Sequence, residues 1–352
     1  MSVSAYSAVL QNLKTGRITA ELPVSSAKAS QALNAPGSVG VSLPLGAAGS
    51  TITPADITER RNALFLLRDG VVVGEGIIET QDADVASNSL ELAALGWHHY
   101  LRNLYVKQDL VWTATDQTTI AKELVEYASS KPGALQFGTS NVATSGVVRD
   151  RTYRGFERAS IGKLIDDLAA VIDGFHFRYR SIRGEFGYTQ EFLTQYPASG
   201  RVTNYVLDMG GNVELLGQSG DGGTMANLVD VIGSGVGDTT PIATATGDLD
   251  AGPLWEAVET YSDVSELATL QEKAGRRLVL GSEPVRLPKL RIGTDTEPVL
   301  GSYQPGDRVR VRGQYGLLDL DAEYVIQQID LTVDSDGQYV DLTTVPVGVF
   351  LS

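Results

Sequence analysis

The fold is decided by the stretch Ala63-Leu-Phe-Leu-Leu67, Arg68-Asp-Gly70 and Val71-Val-Val73. The two apolar runs predict short β-strands, and the Asp-Gly pair between them is a strong hairpin signal. The apolar segment Ser89–Leu95 is expected to pair with this hairpin, and Val39–Leu43 is expected as a further strand. Short strands separated by turns favour an antiparallel barrel or sandwich over residues 1 to about 112.

The sequence that follows changes to a mixed α/β character. Asp116 is suited to cap a helix over about Gln117–Ser129, with Ile120, Leu124 and Tyr127 on one face. A second helix is predicted over about Ser160–Ile172, and Gly174 stands where a left-handed C-terminal cap is expected. The alternating segment Phe175–Tyr179 then predicts a strand.

From about residue 201 the sequence returns to strands separated by glycines. Val213–Leu216 and Leu228–Ile232 are predicted strands, and one helix is predicted over about Glu266–Leu278 with Asp263 as its N-cap. The closing strands are predicted at 308–312, 324–333 and 338–344, with a hairpin turn at Asp334–Gly337. The strand, Asp-Gly turn, strand pattern near 63–78 therefore has a faint echo near 324–344, as a duplicated domain would give.

Composition excludes several classes of protein. The chain has 352 residues, with 28 basic and 43 acidic side chains, a net charge of −15, and no cysteine. Disulfides, thiolate zinc sites and iron–sulfur clusters are therefore excluded. The negative charge argues against a general nucleic-acid binder, because such binding depends on neutralising phosphates. Neither a membrane-spanning run nor a secretion signal is expected from the sequence.

The histidines do not form a convincing chemical site. The chain has three: His98, His99 and His176. If Leu95–Leu101 is a strand, His98 and His99 point to opposite faces and cannot bind one metal ion together. His176 stands alone between two phenylalanines. All three are expected to be packed or surface histidines rather than ligands or catalytic groups.

Three further motifs resemble catalytic or binding loops but lack the required pattern. Ser219 in Gly217–Gly223 has no glycine two residues after it, so a flexible loop is favoured over a hydrolase nucleophile elbow. Gly233–Asp238 lacks the third glycine and the following helix of a dinucleotide loop. The turn at Asp334 lacks the later ligands of a calcium loop. No catalytic, cofactor-binding or metal-binding residue is predicted, and the chain is not expected to be an enzyme.

Two charge patterns are more informative. Gly313–Ser352 contains seven acidic residues and no Lys or Arg. In contrast, Arg308, Arg310 and Arg312 alternate along one predicted strand and share a face. A second basic cluster lies upstream, at Arg149, Arg151, Arg154 and Arg158. These stripes are either a solvated surface or contacts to acidic surfaces of neighbouring subunits.

Several segments resemble minor tail proteins of siphophages that infect actinobacteria. The resemblance spans nearly the whole chain, although each segment is individually loose. It is carried by the opening Leu10–Val24 and Leu33–Ser38, by Arg68–Ile77 and Leu95–Leu101, by Met225–Gly235 and Tyr303–Val311, and by the closing hairpin. In architecture these proteins are similar to the baseplate hub of contractile phages.

This resemblance implies an α+β, mainly β fold. It implies a first β-barrel-like tube domain at 1–112, an α/β domain at 113–200, and a second β-barrel-like tube domain at 201–352. A helix-containing insertion is expected at about 238–285. Three subunits would then offer six barrels and adapt a six-fold tail tube to a three-fold tip.

The implied function is that of a structural virion protein at the tail tip, assembled in the host cytoplasm. Its implied partners are two further copies of itself, the distal tail protein ring, the tail tube, the tape measure protein, and further minor tail or fibre proteins. Phage DNA would pass through the lumen without specific binding, and no cofactor or membrane insertion is expected. The alternative is a receptor-recognition or fibre-anchoring tail component. A receptor-binding component would present aromatic-rich loops, so the aromatic content of only 7% favours the hub.

Overall fold

A computed structural model describes residues 6–48, 52–171, 173–196, 201–250, 252–261 and 264–347. These residues divide into two compact units. The larger unit comprises the described residues between Met1 and Leu216 and between Lys289 and Thr344. The smaller unit comprises the described residues between Gly217 and Pro288, together with residues 345–347. The division of the chain into two tube domains and an α/β domain stays a prediction.

Strands dominate the regular structure, which confirms the predicted α+β, mainly β class. In the first half of the chain they are β1 (Tyr6–Asn12), β2 (Ile18–Pro23), β3 (Ser26–Ala32), β4 (Ser38–Pro44), β5 (Asn62–Arg68), β6 (Val71–Asp84), β7 (Ser89–Leu95), β8 (Leu110–Asp116), β9 (Phe137–Gly138), β10 (Val148–Tyr153), β11 (His176–Arg183) and β12 (Tyr188–Gln195). The later strands are β13 (Val202–Asp208), β14 (Glu214–Asp221), β15 (Leu228–Ile232), β16 (Ile242–Thr246), β17 (Glu256–Thr260), β18 (Val285–Gly293), β19 (Arg308–Tyr315), β20 (Leu318–Asp334) and β21 (Gly337–Pro346).

The helices are fewer and short. They are α1 (Leu45–Ala48), α2 (Trp97–Arg102), α3 (Gln117–Ser129), α4 (Ile161–Ala170) and α5 (Leu267–Gly281), and single 3₁₀ turns occur at Pro54–Ile57, Gly155–Glu157 and Gly237–Thr239. The predicted cap of α3 is confirmed, because the Asp116 carboxylate accepts hydrogen bonds from the backbone N–H groups of Thr118 and Thr119.

One large sheet of the larger unit joins strands from both ends of the chain. Its order is β18-β21-β20-β3-β4-β7-β6-β5-β1-β2, and β13 is attached through β19 to β20. The link is the antiparallel pair β3–β20, whose register runs from Ala27 opposite Val333 to Ala32 opposite Gln328. The apolar side chains of both halves therefore share one continuous buried cluster.

Strand β5 is buried on both faces, because alternate side chains of a strand point to opposite sides. Leu64 and Leu66 belong to the core cluster of the large sheet. Ala63, Phe65 and Leu67 belong to a second cluster, shared with α2, α3, α4 and the small sheet β11-β12-β9. The predicted strand thus lies between two layers rather than at a surface.

Both predicted hairpins are present. The turn between β5 and β6 places Asp69 and Gly70 at φ 49° and 82°, the paired left-handed conformations that match the twist of a two-residue hairpin. In the turn between β20 and β21, the Asp334 carboxylate accepts hydrogen bonds from the backbone N–H groups of Asp336 and Gly337, at 2.9 and 3.1 Å. The hydrogen bonds of this carboxylate therefore stabilise the hairpin turn.

The strand over Leu95–Leu101, which was the condition for placing His98 and His99 on opposite faces, is not present. Strand β7 ends at Leu95, and Trp97–Arg102 forms helix α2. Gly96 ends the strand in close contact with the backbone of Gly37, where an added Cβ would lie 2.9 Å from the Gly37 nitrogen. Trp97 and Leu101 are four residues apart, so both point into the second core cluster from one helical face.

The second predicted helix is confirmed in position but ends earlier. Helix α4 ends at Ala170, and the predicted last residue, Ile172, lies outside the described residues. Asp173 rather than Gly174 adopts the left-handed conformation, with φ 55°. Position 174 instead needs glycine because it has no room for a side chain: a Cβ there would lie 2.1 Å from the carbonyl oxygen of Ala169.

The smaller unit is a three-stranded sheet covered by one helix. Strand β15 pairs antiparallel with β16 and parallel with β17, and Val229 and Val231 pack with Leu270 and Ala274 of α5. The predicted helix is confirmed, but Glu266 occupies the N-cap position without a side-chain hydrogen bond there. The predicted cap, Asp263, lies outside the described residues.

Candidate functional site

A buried polar network surrounds His98. Its Nδ1 lies 2.8 Å from the Tyr179 hydroxyl and its Nε2 lies 2.7 Å from Asp166 Oδ1. Arg102 Nε donates to the other Asp166 oxygen at 3.0 Å. Burial lowers the pKa of His98 more than Asp166 raises it, which favours the neutral ring. Nε2–H then donates to Asp166 and Nδ1 accepts from Tyr179, so the network ties α2, α4 and β11 together.

The other two histidines lie in separate surroundings. His99 Nε2 is 3.5 Å from Glu79, and His176 Nδ1 is 2.9 Å from the Asn34 side chain. Burial lowers the pKa of His176 to about 4, so this ring is neutral at neutral pH. Across the parts of the chain that the structure describes, no three His, Asp or Glu side chains are arranged to hold a metal ion.

The two glycine-rich motifs lie in strands and turns of the smaller unit. The expectation of a loop at Gly217–Gly223 is wrong in its first part, because β14 extends through Ser219 to Asp221. This Ser219 therefore stands in a strand rather than at a strand-to-helix elbow. Gly233–Asp238 is followed by a single 3₁₀ turn and then by β16, so no helix N-terminus is available there to hold a phosphate.

The arginines of β19 have acidic partners within the same chain. Arg310 binds both oxygens of Asp321 on β20, at 2.7 and 2.9 Å, and Arg312 Nη2 lies 2.7 Å from Asp208 on β13. Arg308 Nη1 lies 3.9 Å from Glu323. The stripe is thus paired within the chain, and its contact with acidic surfaces of neighbouring subunits stays a prediction. The acids come from β13 and β20, which the sheet places beside β19.

Reversing the charge of Arg310 is expected to lower the melting temperature by no more than a few degrees, because this ion pair is exposed and screened by water. Arg310→Glu places a carboxylate beside Asp321 and Glu323. The double variant Arg310→Glu/Asp321→Arg restores opposite charges and should return the melting temperature to that of the wild type. Thermal unfolding at low and high salt checks this. A double variant no more stable than Arg310→Glu would contradict the pairing.

The upstream arginine cluster and the acidic C-terminal segment are also paired locally. Arg154 Nη1 lies 2.7 Å from Asp109, and Arg149 Nε donates to Gln117 Oε1 at 3.0 Å. In the acidic segment, the Asp341 carboxylate accepts hydrogen bonds from Arg291 Nε and Nη2, at 2.7 and 2.9 Å. These two predicted charge features are therefore partly neutralised within the chain.

A cavity of about 410 Å³ in the larger unit contains a buried carboxyl group that no sequence motif indicated. Glu75 of β6 lies there beside Trp97 and Ser181. Burial raises the pKa of Glu75 to about 7, although the Ser181 hydroxyl and the Trp97 indole lower it in part. The available sequence signal was a single Glu between Gly74 and Gly76, in the otherwise apolar first part of β6 at 71–78.

None of the described helices is long and apolar enough to cross a membrane. No protein-family model matches the sequence, and no curated protein matches it.

The fold, in contrast, is that of phage tail proteins. A tail protein from Neisseria meningitidis matches with a TM-score of 0.62 and 16% identity, over 99% of this chain and 98% of that chain. The 43 kDa tail protein of prophage MuSo2 from Shewanella oneidensis matches with a TM-score of 0.65 and 14% identity, over 98% and 99%.

A secretion-system protein has a similar fold. The Escherichia coli c3393 protein is a type VI secretion component with structural similarity to T4 bacteriophage tail proteins gp27 and gp5. It matches with a TM-score of 0.51 and 12% identity, over 92% of this chain and 73% of that chain. At these identities the likeness establishes the fold alone.

Proposed function

We propose that this chain is a structural virion protein, the tail-tip (baseplate) hub of a siphophage infecting actinobacteria. The observation that carries the proposal is the extent of the structural match. Two phage tail proteins cover 98% or more of this chain and are themselves covered to the same degree. The correspondence thus includes the sheet, the intervening α/β layer and the smaller unit, rather than one common β motif.

The internal organisation supports a six-fold to three-fold adaptor. The N-terminal strands β1–β7 and the C-terminal strands β18–β21 each contain a hairpin closed by an Asp-Gly turn, and β3–β20 joins the two halves. Two barrel-like domains in each subunit of a homotrimer give six tube elements around one axis. A closed ring of this kind requires a heterologous contact repeated at each interface.

The proposed partners follow from that position. The homotrimer would contact the distal tail protein ring and the tail tube on one side, and further minor tail or fibre proteins on the other. The tape measure protein and then the DNA would pass through its lumen, without specific DNA binding. Assembly would take place in the host cytoplasm, and neither a cofactor nor catalysis is part of this proposal.

Gold labelling of virions tests the location. Particles carrying a hexahistidine tag on this chain, viewed with nickel–gold by electron microscopy, should show label at the distal end of the tail on its axis. Label along peripheral fibres would instead favour the receptor-recognition or fibre-anchoring alternative. Virions without the chain would contradict both. Wild-type virions carried through the same labelling are the control.

A further inference from the structure

Two strand edges without a strand partner border the 410 Å³ cavity of the larger unit. Among the described residues, β11 is the outer strand of its sheet, with β12 on one side only. On the other side, the Phe177 N–H donates to Asn34 Oδ1 at 2.7 Å, and the Phe177 carbonyl accepts from the Asn34 N–H at 3.2 Å. Backbone groups two residues apart in a strand point the same way, so Tyr179 and Ser181 present their N–H and carbonyl groups to this edge.

The facing edge belongs to the first half of β6. Residues Val71–Gly76 pair with β5, whereas β7 pairs with β6 only from Ile77 onward. On the side away from β5, the Val73 carbonyl accepts a hydrogen bond from the Gln31 side chain at 2.9 Å. Val73 and Glu75 line the cavity together with Tyr179 and Ser181.

The cavity wall contains several buried polar groups. The Ser181 hydroxyl and the Trp97 indole interact with the Glu75 carboxyl, whereas the Tyr303 hydroxyl has no hydrogen-bond partner in the described residues. Trp97 is only 1% exposed and Tyr303 only 4% exposed. Buried donors and acceptors are nearly always satisfied in folded proteins, so the Tyr303 hydroxyl is a group that a polar ligand in the cavity can bind.

The charges around the cavity favour an acidic ligand. Arg178, Arg180 and Arg183 of β11 line it, and Glu75 is the only acidic residue among the described residues of its lining. Arg178 binds the neutral side chain of Gln304, and Arg183 stacks over the Tyr188 ring at 5.0 Å, so neither is neutralised by these contacts. Arg180 contacts Glu191 at 2.6 Å.

We propose that this cavity is a docking slot in which an extended acidic segment of a partner protein adds as a strand to the free edge of β11. Backbone groups at Tyr179 and Ser181 would give affinity, as in other strand additions, and the arginines would select acidic side chains. Trp97 and Tyr303 would bind the segment where it passes through the slot. The proposal concerns peptide binding by one subunit and does not depend on the trimeric hub.

Synthetic peptides test it. The probes are the acetylated, amidated hexapeptide Thr-Asp-Thr-Asp-Thr-Asp and its Thr-Lys counterpart, titrated by calorimetry and by Trp97 fluorescence in a Trp112→Phe/Trp255→Phe background. The acidic peptide should bind about tenfold more tightly than the basic one, and binding should weaken with salt because exposed charges are screened. An acidic peptide that fails to bind the wild type, or that binds no better than the basic one, overturns the proposal.

Two variants locate the binding. Ser181→Pro removes an N–H that faces the slot and not β12, so the β11–β12 ladder remains, and peptide affinity should fall at least about tenfold. Ser181→Ala keeps this N–H and loses only the hydroxyl, so its peptide affinity should fall less than that of Ser181→Pro. Arg183→Gln should lower affinity about fivefold and reduce the salt dependence, whereas Arg276→Gln, the same charge loss on α5, should not. Unchanged affinity in Ser181→Pro or in Arg183→Gln overturns the proposal.

Discussion

Replacing Phe65 with alanine is expected to lower the free energy of unfolding of the larger unit by about 3–5 kcal/mol. Phe65 is fully buried in β5, with its ring stacked on Tyr188 at 4.4 Å and 6.0 Å from Trp97. Its removal leaves a cavity between the large sheet and the α/β layer. Both layers are held by their neighbours and cannot collapse fully, so the lost contacts are not regained.

Urea denaturation followed by Trp97 fluorescence, in the Trp112→Phe/Trp255→Phe background, measures this loss. The matched control is Phe156→Ala, because Phe156 is 80% exposed and its truncation should change stability by less than about 0.5 kcal/mol. A Phe65→Ala variant as stable as the Phe156→Ala control would contradict the double burial of β5. It would mean that the hairpin at 63–73 lies at the edge of the fold and does not join its two layers.

Replacing Glu75 with glutamine is expected to stabilise the protein at pH 8 by about 2 kcal/mol, an order-of-magnitude figure from its raised pKa. The folded-state pKa of Glu75 is about 7, against an ordinary value of 4.5, because the group is buried. The folded state therefore holds this proton between pH 4.5 and 7 while the unfolded state releases it. Stability of the wild type accordingly falls as the pH rises through this window, and the Glu75→Gln substitution removes this loss.

The comparison across pH is the decisive measurement for this prediction. Near pH 4 Glu75 is protonated in both states, so the advantage of Glu75→Gln should disappear there. His176 acts in the opposite direction: its pKa of about 4 in the folded state means that stability is lost as the pH falls from 6.5 to 4. The Glu75→Gln variant should therefore lose stability more steeply on acidification than the wild type.

Glu91→Gln is the control for this experiment, since Glu91 is an exposed carboxyl on β7. Its pH profile should follow that of the wild type. An advantage of Glu75→Gln that persists unchanged at pH 4, or that is absent at pH 8, would show that Glu75 is not held in a buried site. It would also remove one of the polar groups on which the slot at β11 is based.

Local patterns were sufficient to predict most strands and helices. The hairpin at Asp69-Gly70, the α3 helix with its Asp116 cap, and the closing hairpin at Asp334–Gly337 depend on neighbours within a few residues. Helix α2 was missed because two histidines interrupt a short apolar run, and because the end of β7 is set by contact of Gly96 with Gly37, far away in sequence.

The candidate sites depended more on distant contacts and were harder to predict. The partner of Arg312 is Asp208, 104 residues earlier, and only the pairing of β13 with β19 brings them together. The burial of Glu75 likewise requires β11 and Tyr303, which are contributed from two other parts of the chain. The sequence pattern identified charged residues and their faces, but pairing and burial follow from the topology.

We propose that three copies of this chain form a hub at the tip of a phage tail. The most direct test is the mass of the protein in solution and in virions, combined with its symmetry from electron microscopy. We predict a trimer that forms a three-fold ring at the distal end of the tail tube. A protein that stays monomeric and is absent from virions would contradict its role as a tail-tip hub.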